Sequence, residues 1–233
     1  MTDRETVIKA LKSVSTATIT TVLVNKGLRN VWLRGPLPLR EDSTRIVGPA
    51  FTLRFVPARE DLATTASWSS PRSTRAAIEA MPEGCIAVAD SAHCTDAGIF
   101  GDILCARMVE RKVAALVTDG VMRDRLGVLA TGLPVWCRGR AAPPSVAGMT
   151  FVNWQEPIGC GGVAVFPDDL IVADDDGAVV IPASMVEEVA TLGIEQEQRE
   201  EWILGEVKRG VVLPGLYPMN EETKARYLAS RKS

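Results

Sequence analysis

Histidine is almost missing from this 233-residue sequence, and His93 is the only one. A metal site built on two or three histidines is therefore excluded within one chain. Any metal must take oxygen ligands, which suit Mg2+ or Mn2+. Ser-His-Asp and Cys-His schemes would all depend on that one residue. Cysteine is scarce and scattered: Cys85, Cys94, Cys105, Cys137 and Cys160 make an odd count with no Cys-x-x-Cys pair. That argues against a disulfide framework or a zinc site, and the thiols read as free and mostly buried. Aromatic residues make up only 5% of the chain, so the core must rest on Val, Ala, Leu and Ile. Positive charge is not in excess. The net charge of −3 leaves no basic footprint for nucleic acid. No run of about 20 apolar residues occurs, so no membrane span is expected. The opening MTDRETVIKALKSV is charged and lacks an apolar signal core, which leads us to expect a cytoplasmic protein.

What is present suggests one domain over residues 1–233. Residues 4–27 read as a helix and a short second one, with hydroxyls in STATITTVL suited to capping the second. Residues 28–45 read as loop, and IVGPAFTLRFVP at 46–57 as a strand. The polar stretch 59–73 reads as a loop near a surface or site. A short helix at 74–81 follows. Residues 84–139 then alternate between apolar strands (85–90, 114–120, 133–139) and a helical segment after Gly101. Such alternation argues for an α/β unit with some parallel pairing. Residues 150–182 carry short β runs, and the Asp-Gly of ADDDGAVVIP signals a hairpin. From Ala183 the chain reads as helical, with Ser184 and Glu187 offering a capping box. A polar tail is expected from Pro214. Residues 183–233 are expected to form an arm on a neighbouring subunit.

The richest segment is GDILCARMVERKVAALVTDGVMRDRLG at 101–127. It reads as a helix start, a helix, a buried strand and a turn ending in Arg123-Asp124. One helix–strand excursion between Asp102 and Arg123 can return the chain close to where it began. A helix N-terminus offers free N–H groups and a positive dipole end to an anion. Arg123 adds a planar, permanently charged fork for a carboxylate. Asp124, expected to diverge from Arg123, can hold a hard cation that keeps several waters. Such a kit suits a metal ion and a small 2-oxo acid. The plainer alternative is that Asp102 caps its helix and Arg123-Asp124 is a surface ion pair.

The same run resembles the signature of the RraA-like family, which includes the class II 4-hydroxy-4-methyl-2-oxoglutarate aldolases. Their D-x20-R-D pattern is matched by Asp102, Arg123 and Asp124. VGPAFTLR at 47–54, LPVWCRG at 133–139 and GGVAVFPDDLIVADDDGAVVIP at 161–182 extend the resemblance over residues 15–215. It implies an αββα sandwich of the swivelling β/β/α type with a C-terminal helical arm, assembled as a trimer or a dimer of trimers. It also implies a lyase that releases pyruvate from 4-hydroxy-2-oxo acids and decarboxylates oxaloacetate, with neither nucleic acid nor membrane as partner. By that resemblance Asp124 would be the direct ligand of Mg2+ or Mn2+. Arg123 would bind the pyruvyl carboxylate and developing enolate. The amides of Gly101, Asp102, Ile103 and Leu104 would hold the carboxylate, and Asp102 would position a proton-carrying water. Glu197, Glu200 and Glu201 are the candidates to approach a neighbour's metal.

Departures from the pattern are Pro167-Asp168-Asp169, where the family has Pro-Gly-Asp, a longer 59–73 loop and a different tail. Arg59, Glu60 and Asp61 can shape a different pocket or form a solvated loop. Asp174-Asp175-Asp176 reads as a hairpin turn, and His93 as structural or exposed. Gly159, Gly161 and Gly162 make no dinucleotide fingerprint, since no helix follows them. No glycine-rich methyl-donor motif supports a methyltransferase. Two alternatives to the aldolase stand: a regulator that binds and inhibits an RNA-degrading endonuclease, and a lyase for a sugar-derived oxo acid. Asp102 favours the enzyme, because the regulator type tends to have Asn there.

Overall fold

The computed structural model describes residues 4–41 and 44–231. Helices α1 (Arg4–Leu11) and α2 (Thr16–Asn25) open the chain. Ser15 caps α2 as its hydroxyl spacing suggests, its Oγ accepting from the Thr18 amide at 3.1 Å. The expected loop at 28–45 instead contributes two short edge strands, β1 (Trp32–Leu33) and β2 (Leu37–Pro38). Then come β3 (Ile46–Pro57), α3 (Thr74–Ala80), β4 (Ile86–Asp90), α4 (Asp102–Glu110), β5 (Ala115–Thr118) and β6 (Val121–Met122). Helix α5 (Arg125–Thr131), which the sequence reading missed, leads to β7 (Val135–Cys137), β8 (Gly139–Arg140) and β9 (Met149–Trp154). The hairpin of β10 (Leu170–Asp174) and β11 (Gly177–Ile181) follows, and α6 (Val186–Lys208) and α7 (Glu221–Ser230) close the chain.

Strand order along the main sheet is β1-β11-β10-β3-β4-β5-β7-β2. The β3-β4-β5-β7 stretch is parallel, as the alternation of elements predicts. Strand β3 is the hinge of the architecture. Its first half pairs antiparallel with β10, its middle pairs parallel with β4, and its last residues pair antiparallel with β9. The sheet can therefore fold over on itself into two β layers.

Side-chain alternation confirms the layering, because successive strand residues face opposite sides. Ile86 and Val88 of β4 and Ile171 and Ala173 of β10 meet between the β layers, with the fully buried Trp136. Ala87 and Ala89 turn outward to α3, α4 and α5. Leu170, Val172, Val179 and Ile181 turn the other way, to α1, α2 and α6. The result is the expected αββα sandwich. Because both faces of these strands are covered, they read as continuous apolar runs.

The Asp174 turn is a hairpin, as read, with Asp174 opposite Gly177. Asp174 also ties the hairpin to α2, accepting from the Thr16 amide (2.9 Å) and Thr16 Oγ1 (2.6 Å), and it pairs with Arg45 at 3.2 Å. Asp168 takes φ +70°, the left-handed region that glycine adopts most readily.

One expectation at the C-terminus is corrected. The Ser184–Glu187 capping box does not form, because a 3-10 turn (Ala183–Met185) runs straight into α6 and leaves no extended cap residue. The tail carries a helix of its own. Helix α7 folds back on α6 through a Trp202–Tyr227 edge contact, and Glu206 pairs with Arg209 and Arg226. No single helix among the described residues is long and apolar enough to cross a membrane.

Candidate active site

The loop from Gly98 to Gly101 runs parallel beside residues 121–123. Ile99 N donates to Val121 O at 2.8 Å, and Arg123 N donates to Phe100 O at 3.0 Å. This ladder brings the start of α4 against the turn after β6. All the predicted site residues, Gly101, Asp102, Ile103, Leu104, Arg123 and Asp124, line one cleft of about 330 Å3. Trp68, Arg75 and Ser145 line it too, and the sequence reading did not single these out. Only Trp68 had a signal in the sequence, the length and polarity of the 59–73 loop in which it lies; Arg75 on α3 and Ser145 in a later 3-10 turn had none.

Three glycines make the approach possible. A Cβ at Gly98 would stand 2.7 Å from Arg123 N, and one at Gly101 would stand 2.7 Å from Asp124 Oδ2. One at Gly127 would meet Asp102 Oδ2 at 2.7 Å. Each bare Cα is thus the wall against which a functional side chain lies.

Gly101 is the N-cap of α4 and Asp102 its first residue. The amides of Asp102, Ile103 and Leu104 have no acceptor within the helix. Asp102 Oδ1 takes the Ile103 amide at 2.7 Å, so one of the three already has a partner. Asp124 adopts a left-handed conformation, φ 52° and ψ 43°, at the start of α5. That conformation swings its carboxylate back toward Arg123. The expected divergence is corrected: Arg123 Nε donates to Asp124 Oδ2 at 3.0 Å. Both side chains stay partly open to solvent, at 35% and 47%.

Asp124 offers a cation one half-exposed carboxylate. No group of three or more His, Cys, Asp or Glu residues capable of holding a metal occurs among the described residues. A hard ion with one protein carboxylate and retained waters fits such a donor set, and a stripped transition-metal cage does not. The thiols play no part. Burial, aided by the Asp102 charge, pushes Cys105 up to about 12, and burial pushes Cys85 equally high.

Asp119 sits at the end of β5 and is fully buried. It accepts from Ser91 N (2.8 Å), Ser91 Oγ (2.9 Å) and Gly161 N (3.1 Å), and lies 3.1 Å from His93 Nδ1. It therefore anchors the loop leading to α4. His93 takes a structural place there, outside the cleft lining. Glu197 is committed within its own chain, accepting from Ser15 N at 2.7 Å, and Glu200 accepts from Gln196.

Residues 16–180 match the family described as RraA-like, Aldolase/RraA. The chain belongs to the RraA-like family. A relative from Halalkalibacterium halodurans named "Putative 4-hydroxy-4-methyl-2-oxoglutarate aldolase" is 34% identical over 70% of this chain and 72% of its own. Protein DlpA of Legionella pneumophila is 29% identical over 72% of this chain, which spans only 26% of DlpA. The crystal structure of Streptomyces coelicolor RraAS2, described as an unusual member of the RNase ES inhibitor RraA protein family, superposes with a TM-score of 0.77. It is 35% identical, over 86% of this chain and 96% of that one. The family match thus spans the β layers and the cleft, while the relatives' names include both an aldolase and an inhibitor family.

Proposed function

We propose that this RraA-like protein is a divalent-metal-dependent lyase that cleaves 4-hydroxy-2-oxo acids, such as 4-hydroxy-4-methyl-2-oxoglutarate, to pyruvate, and decarboxylates oxaloacetate. The observation that carries the proposal is the meeting of the α4 N-terminus, Arg123 and Asp124 in one cleft. Asp124 would hold Mg2+ or Mn2+, whose chemistry when bound is to polarise the keto oxygen. The α4 amides and Arg123 would hold the substrate carboxylate. Breaking the C3–C4 bond sends its electron pair toward C2, giving an enolate. The Arg123 guanidinium would meet that developing charge. The C4 hydroxyl proton must leave as the new carbonyl forms, and C3 must gain a proton to give pyruvate. Asp102, on the first turn of α4, would hold that proton through a water. In oxaloacetate, loss of CO2 leaves the same enolate.

Ile103, which lines the cleft, and Leu126 on α5 are each 79% exposed, which supports contact with a neighbouring subunit, in our reading within a trimer or a pair of trimers. A second reading, binding and inhibition of an RNA-degrading endonuclease, is favoured by the likeness to RraAS2. Pyruvate release from oxaloacetate and from 4-hydroxy-4-methyl-2-oxoglutarate, with Mg2+, with Mn2+ and with a chelator, separates the two. Metal-dependent release that Asp124→Ala abolishes, with Arg123→Ala chiefly raising KM, is the expected result. No release from either compound would remove this aldolase reading and leave the inhibitor or a lyase for a sugar-derived oxo acid.

A further inference from the structure

Arg75 lines the cleft from α3, an element that carries none of the residues discussed so far. Its guanidinium carbon lies 4.4 Å from the centroid of the Trp68 ring, over its face. It is half-buried, and burial lowers its pKa. Its Nη1 donates a hydrogen bond to the neutral Thr74 Oγ1 at 3.3 Å. Arg59 and Arg107 have carboxylate partners, and Arg123 has Asp124. No carboxylate forms an ion pair with Arg75 among the described residues. A guanidinium withdrawn from water without an anion is unfavourable unless a ligand supplies one. Stacking on Trp68 orders the fork while leaving N–H donors for a planar anion.

We infer that Arg75, braced by Trp68, is a specificity-determining residue that binds a second carboxylate at the far end of the substrate. The inference rests on the lyase reading of the cleft. Asp102 and Asp124 cancel the charges of Arg75 and Arg123, so a bound divalent cation leaves two positive charges. A dicarboxylate balances them; a phosphorylated oxo acid would overshoot. The 59–73 loop, with Trp68, is then a selector for substrates charged at both ends.

Matched probes test this by calorimetry in the presence of Mn2+. 2-Oxoglutarate and 2-oxopentanoate have the same chain length and differ at the distal carboxylate. Wild type is expected to prefer 2-oxoglutarate by about tenfold or more, the worth of one charge-assisted pair. Arg75→Met should erase that preference, and Arg75→Lys should restore part of it. Oxalate, which needs only the α4 and Arg123 side, should bind wild type and Arg75→Met alike. Equal affinities for the two oxo acids in wild type, or a preference that survives Arg75→Met, would overturn the inference while oxalate still binds. Failure of oxalate to bind wild type would overturn the lyase reading as well. Tighter binding of 2-oxo-4-phosphonobutanoate than of 2-oxoglutarate would overturn the choice of a carboxylate.

Discussion

Replacing Gly101 by alanine should separate stability from metal binding. The new Cβ would sit 2.7 Å from Asp124 Oδ2 and 3.3 Å from Arg123 Cγ, whereas ordinary contact begins at 3.4 Å. The carboxylate must therefore retreat by about 0.7 Å, the difference between 3.4 and 2.7. It is the free end of a half-exposed side chain, so the fold can yield cheaply. Gly101 has φ −120° and ψ −170°, which alanine adopts readily, and the stiffer unfolded chain returns about 0.4–1 kcal/mol. Little change in Tm is expected. The function should suffer, since a misplacement near 1 Å can cost about 10²-fold in rate. Gly98→Ala is the contrast. Its Cβ would lie 2.6 Å from Arg123 Cβ and 2.7 Å from Arg123 N, and backbone cannot step aside. Overpacking of about 1–3 kcal/mol, at about 2–4 °C per kcal/mol for a chain of this size, gives a Tm loss of roughly 2–12 °C. Circular dichroism melts, Mn2+ titration followed by electron paramagnetic resonance, and oxaloacetate decarboxylation read all three effects. Wild-type Mn2+ affinity and turnover in Gly101→Ala would refute the reasoning, as would a Tm loss equal to that of Gly98→Ala.

Further outcomes follow from other parts of the fold. Burial alone would raise the Asp174 carboxyl, but Thr16, Arg45 and the Asp176 amide hold it below its ordinary value. Its stabilisation is then present above the unfolded value of about 3.9 and fades as pH falls through the lower folded value. Asp174→Asn should cost about 1.5–3 kcal/mol at neutral pH, measured by urea unfolding, with the gap to wild type closing in acid. Glu206 is held low by Arg209, with Arg226 assisting. The contact of α7 with α6 should therefore persist above the ordinary carboxyl range and loosen as pH drops through the lowered value. Trp202 fluorescence should report that loosening, and Glu206→Gln should remove the acid transition. Among the thiols, Cys94 alone is only partly buried. Ellman's reagent at pH 8 should label about one cysteine per native chain and all five after denaturation.

The fold was legible where burial is two-sided. Continuous apolar runs at 86–90, 115–118 and 135–137 announced a covered parallel sheet. They could not announce that β3 divides its length among three partners, because pairing leaves no mark on one strand's composition. Helix α5 was missed because its seven residues begin at a left-handed aspartate and contain Gly127. The D-x20-R-D spacing did bring its residues together, since a helix and a strand of those lengths return the chain to its start. The Arg123–Asp124 contact was not readable, because it depends on the positive φ at Asp124. Trp68 and Arg75 escaped notice for different reasons: Trp68 sits in the polar 59–73 segment, which carries no periodicity from which to infer what it faces, and Arg75 is one charged residue on a helix of only seven. Asp119 fell within the expected strand 114–120, and only the folded chain shows it holding the loop that leads to α4.

Strand β3 also shapes how this protein can be made. Val47 waits for Val172, and Phe55 waits for Phe151. During synthesis from the N-terminus, one edge of a twelve-residue apolar strand stands unpaired while about a hundred further residues emerge. Pairings so distant in the chain slow folding and lengthen the exposure of sticky edges. A fragment ending before residue 149 would keep the whole cleft-forming sequence but present β3 as an open template for other chains. Cutting the cleft-forming segment away from the last third of the chain should therefore yield aggregates rather than a folded fragment. Residues remote from the cleft are what allow its residues to be delivered in soluble form.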